Sequence, residues 1–112
     1  MQTEAEKYVW DALTAAHRIQ KFIQEKSFDQ YLQDDLLRSA VERQFEIIGE
    51  ALGQLRKQFP FEADKVTGLP RIVGFRNVLI HGYATVDDAL VWGAIEMHLD
   101  PLVVCLKALL KE

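Results

Sequence analysis

The stretch QDDLLRSAVERQFEIIGEALGQLRKQFP, residues 33–60, carries apolar side chains at Leu37, Val41, Phe45, Ile48, Leu52 and Leu55. Steps of three and four residues put all six on one stripe of a helix, and such a stripe has to be covered by other elements. The reading is a helix from roughly Gln33 to Gln58, stopped at Phe59-Pro60 because the residue before proline avoids helical geometry. Upstream, Tyr8, Ala12, Ala16, Ile19 and Ile23 repeat the pattern and predict a first helix from about Thr3 to Glu25. Ser27 offers an N-cap to a short turn through Phe28 and Tyr31. Downstream, residues 60–70 read as a loop broken by Thr67, Gly68 and Pro70. A helix from about Pro70 to His81 follows, with Gly82 placed to end it in a left-handed conformation. Thr85 with Asp88 resembles a capping box and opens a last helix towards Lys111, bent at Pro101. No strand-like alternation, hairpin turn, internal repeat or linker appears. The fold class expected is all-α, an antiparallel helical bundle forming a single domain over residues 1–112.

Composition supports that reading. Of the 112 residues, 49% are hydrophobic and 27% charged, as in ordinary globular domains. Uninterrupted apolar runs are short, so no membrane span is expected, and Met1 to Lys7 do not form a secretory signal. A single cysteine, Cys105, excludes an intramolecular disulfide and suits a reducing compartment such as the cytoplasm. The net charge of −4 argues against a nucleic-acid coat protein. Yet no acid lies between Asp64 and Asp87, while Lys65, Arg71, Arg76 and His81 do. A local positive site of that kind can attract a phosphate without gripping a long duplex.

Two features point to self-association. Residues 89–95 are apolar all round the helix, so one face is expected to need a partner chain, unless this helix is central in the core. Gly49 and Gly53, one turn apart, would permit close helix–helix approach. A homodimer is therefore expected.

Most catalytic signatures are missing. There is no phosphate-binding glycine loop and no nucleophile elbow around Ser27 or Ser39. Glu42, Glu46 and Glu50 recur every fourth residue, a pattern better explained by solvated charge paired with Arg43 or Lys57 than by a metal. His98 and Cys105 supply only two ligands where zinc takes four, and both read as packing residues. Neither a metal nor another cofactor is expected. The segment Phe75-Arg76-Asn77-Val78-Leu79-Ile80-His81-Gly82-Tyr83 is different. Asn77 and His81 stand four apart on one helix face, so Asn77 can hold the imidazole in one tautomer. Arg76 can swing towards the helix end. Spacing alone leaves open that Arg76 pairs with Glu46 or Glu50 and that His81 merely caps the helix.

Those residues also carry a family likeness. Trp10-Asp11-Ala12-Leu13, Val41 to Ala51 with its Ile-Ile-Gly-Glu run, and Gly74 to Tyr83 together resemble HepT. HepT is the toxin of HepT–MntA toxin–antitoxin pairs, within the HEPN superfamily of helical domains. The segment from Arg76 fits the family's Arg-x4-His-x-Tyr pattern without a gap, although Gly82 stands where many relatives carry a larger residue. The resemblance implies a HEPN-like bundle acting as a two-fold homodimer and a metal-independent ribonuclease. It implies that Arg76 and His81 are catalytic, supported by Asn77. It also implies that Tyr83 is the tyrosine to which an MntA-like nucleotidyltransferase antitoxin attaches AMP. The alternative is a non-catalytic module that binds, or presents substrate to, the nucleotidyltransferase.

Overall fold

In the computed structural model, residues 1–81 and 86–111 are described. Among them every regular element is helical. The first, α1 (Thr3–Phe22), and the long α3 (Asp35–Gln58) lie side by side, joined by the short α2 (Phe28–Gln33). A single turn, α4 (Pro60–Ala63), leads to α5 (Leu69–His81). The last rod consists of α6 (Asp88–Ala94), a π-helical stretch (Ile95–Leu99) and α7 (Asp100–Leu110). α3 packs against α1 on one side and α5 on another, while α7 packs against α1. The shortest dimension is 19 Å, two helix layers thick.

Sequence patterning explains each element. All six α3 stripe residues are buried, as the spacing requires. The α1 stripe sits slightly round the helix from its expected place. Val9, Leu13 and Ala15 join Ala12, Ala16 and Ile19 in the core, while Tyr8 and Ile23 stay half-buried. Helix α1 ends at Phe22 rather than Glu25, because Glu25 takes a left-handed conformation (φ 62°) that turns the chain into α2. Ser27 caps α2 in a full capping box with Gln30. Phe59 ends α3, and Pro60, lacking an N–H that a first turn would leave unbonded anyway, starts α4 inside the expected loop. Gly68 supplies a left-handed φ of 75° just before α5.

The last helix departs most from expectation. Asp87 caps α6 by accepting from the N–H groups of Ala89 and Leu90. The helix thus begins after Thr85, which lies outside the described residues along with Gly82. Pro101 does not simply bend the rod. It cannot donate to residue 97 and its ring would press on that carbonyl, and the wider π turn just upstream relieves both conflicts. The helix is not central either. Val91 and Ile95 are buried, but Leu90 is 53%, Met97 70% and Val104 68% exposed. Taken as one rod, Asp88–Leu110 is long and apolar enough by composition to cross a membrane, which the short apolar runs had not suggested. Its buried face (Leu99, Leu102, Val103, Leu106 and Leu109) belongs to the bundle core.

Candidate active site

Helix α5 is seated on α3 by a missing side chain. A Cβ on Gly49 would fall 2.1 Å from Cβ of Arg76 and 2.6 Å from its Cγ, so only glycine admits the arginine stem there. One turn on, a Cβ on Gly53 would meet Val73 at an ordinary 4.0 Å. Phe45 and Phe75 meet edge to face at 5.2 Å between ring centroids. Residue numbers rise along α3 as they fall along α5, so the two helices run antiparallel. Gly49 and Gly53 were expected to serve a helix–helix approach between chains, but the approach they permit is within this one.

The Gly49 contact fixes the root of Arg76 and leaves its charged end to find partners. Nη1 donates to Oδ1 of Asn77 at 3.3 Å, and Nε is buried with no hydrogen-bond acceptor. Arg76 forms no ion pair among the described residues. Glu46 pairs instead with Arg43 at 3.2 Å, and Glu50 is exposed. A half-buried guanidinium held this way is an unneutralised positive charge, the condition for attracting an anion. Asn77, expected to orient the imidazole, is engaged here through its amide oxygen by Arg76.

His81 closes α5 and is exposed. It stands at the C-terminal, negative end of the helix dipole. Five residues separate it from Arg76, about 7.5 Å along the axis and about 140° round it. A single chain therefore places the two on one helix but on different faces. Tyr83 lies outside the described residues.

A second charged group lies at the start of α6. Nε of Arg38 lies 3.8 Å from Asp88 at the start of α6, and Nη1 donates to the carbonyls of Tyr31 and Leu32. Burial, then the neighbouring Asp88 and Glu46 carboxylates, hold the Glu42 carboxyl above its ordinary range, while Arg38 pulls the other way. Burial likewise keeps the Tyr31 phenol protonated well beyond its usual range. Among the described residues no three His, Cys, Asp or Glu side chains gather as a metal site. His98 is exposed, its Nδ1 3.0 Å from Arg71 Nη1, rather than packed, and Cys105 Sγ donates to the Lys65 carbonyl at 3.5 Å.

Sequence reasoning missed the pairing of Gly49 with Arg76 and the Arg38–Asp88 bridge. The signal for the first was present: glycine inside a helix is costly, so one kept there usually has a packing reason.

Comparison with known proteins identifies the family. The family model described as "Ribonuclease HepT-like" matches residues 12–109. The chain is 30% identical over 95 residues to "Putative RNase MJ1380" of Methanocaldococcus jannaschii, covering 83% of this chain and 84% of that protein. It is 35% identical over 86 residues to "Putative RNase TTE0752" of Caldanaerobacter subterraneus subsp. tengcongensis, covering 77% and 76%. "Probable ribonuclease HepT" of Thermococcus cleftensis is 28% identical over 102 residues, covering 91% and 92%. No solved structure matches the chain significantly. With a ribonuclease family model spanning all but its ends and ribonuclease-named relatives of similar length, this chain belongs to the HepT-like ribonuclease family.

Proposed function

We propose that this chain is a metal-independent endoribonuclease and the toxin of a toxin–antitoxin pair, acting in the cytoplasm as a homodimer. The observation that carries the reading is Arg76, a guanidinium seated on Gly49 and left without a carboxylate partner among the described residues. RNA brings its own nucleophile, the 2′-hydroxyl. As the 2′-oxygen bonds to phosphorus, the bond from phosphorus to the 5′-oxygen breaks, leaving a 2′,3′-cyclic phosphate and a 5′-hydroxyl. His81 takes the proton from the 2′-hydroxyl or gives one to the departing 5′-oxygen. Arg76 stabilises the charge that builds on the phosphoryl oxygens. This chemistry asks for an imidazole and a guanidinium rather than a carboxylate cluster.

Because Arg76 and His81 face apart within one chain, a two-fold dimer is the simplest way to surround a phosphate with both kinds of group. The exposed Leu90, Met97 and Val104 are consistent with a further covered face. Tyr83, two residues beyond His81, is the proposed acceptor of AMP from an MntA-like nucleotidyltransferase. The added phosphate would compete with RNA for Arg76. The separation of the two side chains also keeps the second reading in play, in which Arg76 and His81 only contact phosphate as the chain presents substrate to its partner.

Two arms decide between them. Purified protein should cut single-stranded RNA in EDTA, release cyclic phosphate ends, and leave DNA and 2′-O-methyl RNA intact. Efficient cutting of the 2′-blocked strand would overturn the mechanism, and no cutting of any RNA would favour the binding module. Arg76→Lys should restore little of the activity lost in Arg76→Ala, since the two-pronged contact is gone.

A further inference from the structure

A groove of about 460 Å³ runs between the outer faces of α1 and α3, away from the contact between α3 and α5. That volume falls in the range of small-molecule sites, ~300–1,000 Å³. Trp10, Thr14 and Arg18 come from successive turns of α1, and Glu50 and Gln54 from successive turns of α3. The Trp10 indole is 60% exposed, a large apolar surface left in water beside polar neighbours. Arg18 forms no ion pair among the described residues, whereas Asp11 is neutralised by Lys7 at 3.2 Å. We propose that this groove is a binding subsite for single-stranded RNA, with one base stacked on Trp10 and an adjacent phosphate held by Arg18.

The geometry fits a strand. Eight residues of helix separate the indole from the guanidinium, about 12 Å along the axis, within reach of a base and the backbone of the next nucleotide. Stacking on an aromatic face and pairing a phosphate with arginine are the two contacts that single strands use most. Gln54 and Thr14 offer hydrogen bonds to base edges. Glu50 repels phosphate but accepts from exocyclic amines or a 2′-hydroxyl, so it restricts the groove to one or two nucleotides. Tyr8 bonds to Gln58 at 2.8 Å, which sets α1 antiparallel to α3 and brings Arg18 level with the Gly49 region. Glu50 is the next residue after the glycine that seats Arg76. A strand leaving the groove at Arg18 therefore passes round α3 towards the proposed cleavage site.

The inference rests on RNA being the substrate, and its test separates the two claims. A fluorescein-labelled, eight-nucleotide 2′-O-methyl RNA is titrated into wild type, Trp10→Ala, Trp10→Phe and Arg18→Ala, with melting curves for each. Trp10→Ala should weaken binding about ten- to hundredfold, and Trp10→Phe should retain most of it. Arg18→Ala should weaken binding about fivefold and lower the salt slope by about 0.7, the value of one phosphate contact on a single strand. In cleavage of unmodified RNA, Trp10→Ala should raise KM with kcat little changed. Oligonucleotide binding that depends on Trp10, in a wild type that cleaves nothing, would leave the groove standing and remove the nuclease reading. Cleavage with an unchanged KM in both alanine variants would do the reverse. Unchanged RNA binding with Trp10→Ala protein sedimenting as a smaller species would make the groove a contact between copies and overturn the proposal.

Discussion

Helices α1 and α3 bury seven and eight residues in unbroken stripes, whereas the thirteen-residue α5 buries only Leu69 and Leu79. Yet α5 is rich in apolar residues, and two of them, Val78 and Ile80, are 50% and 36% exposed. The long pair is a scaffold whose side chains are chosen for packing. α5 is seated on α3 through half-buried Ile72, Val73 and Phe75 and through Arg76 on Gly49, while Val78, Ile80 and His81 are left in water. A helix that keeps an exposed face beside its packed one is where binding and chemistry can be placed without unfolding the domain.

The strongest way to break this contrast is to empty one site in each region. Leu52→Ala removes a fully buried side chain and should cost ~2–5 kcal/mol, lowering Tm by roughly 10 °C or more. Val78→Ala on α5 should change stability by no more than ~0.5 kcal/mol. Equal shifts in thermal melts followed by circular dichroism would mean that α5 is as much a core element as α3.

The two α3 glycines sharpen the contrast further. Gly49→Ala drives a methyl group into the Arg76 stem, and should cost ~1–3 kcal/mol while lowering RNA cleavage by displacing the guanidinium. Gly53→Ala has room beside Val73 and should stabilise the helix by ~0.5–1 kcal/mol with cleavage unaffected. Opposite signs in the melts, with activity lost in the first variant alone, are the expected result.

The same contrast explains what could be read from the chain alone. The α3 stripe was legible because burial of Leu37 to Leu55 imposes a period that needs no knowledge of the partner helix. The Ser27 cap was legible because its Gln30 partner is three residues away. The Arg76–Asn77–His81 segment stood out by its residue types, but the partner of Asn77 did not, since a rotamer rather than a period decides it. Gly49 and Arg76 meet across 27 positions, and no local pattern signals a contact so distant. The π turn at 95–99 was hidden for another reason. Pro101 announces a conflict in the ladder, but a bend and a wider turn are two resolutions of it, and tertiary packing chooses.

Smaller effects are expected where α2, α3 and α6 converge. Tyr31 is fully buried against Trp92, with ring centroids 5.3 Å apart, and its hydroxyl has no hydrogen-bond partner among the described residues. Tyr31→Phe should therefore be neutral or slightly stabilising. Glu42 has its folded-state pKa raised, chiefly by burial, so the folded chain binds its proton more tightly than the unfolded chain. Its contribution to stability falls as pH rises from the ordinary carboxylate range through the raised value. Glu42→Gln should raise Tm modestly at neutral pH, and the gain should fade below about pH 4, where the unfolded chain is protonated too. A gain that grew on acidification would reverse the sign of the burial effect.

The central claim is that α5 carries the chemistry of RNA cleavage, and His81 tests it most directly because it is exposed and forms no ion pair or side-chain hydrogen bond among the described residues. Initial rates on a single-stranded RNA should be compared for wild type and His81→Ala, with melting curves run alongside. The expected result is a rate lower by about 10²–10⁴-fold in the variant, the usual loss for a positioned acid–base group, at an unchanged Tm. Cleavage by folded His81→Ala protein at the wild-type rate would contradict it.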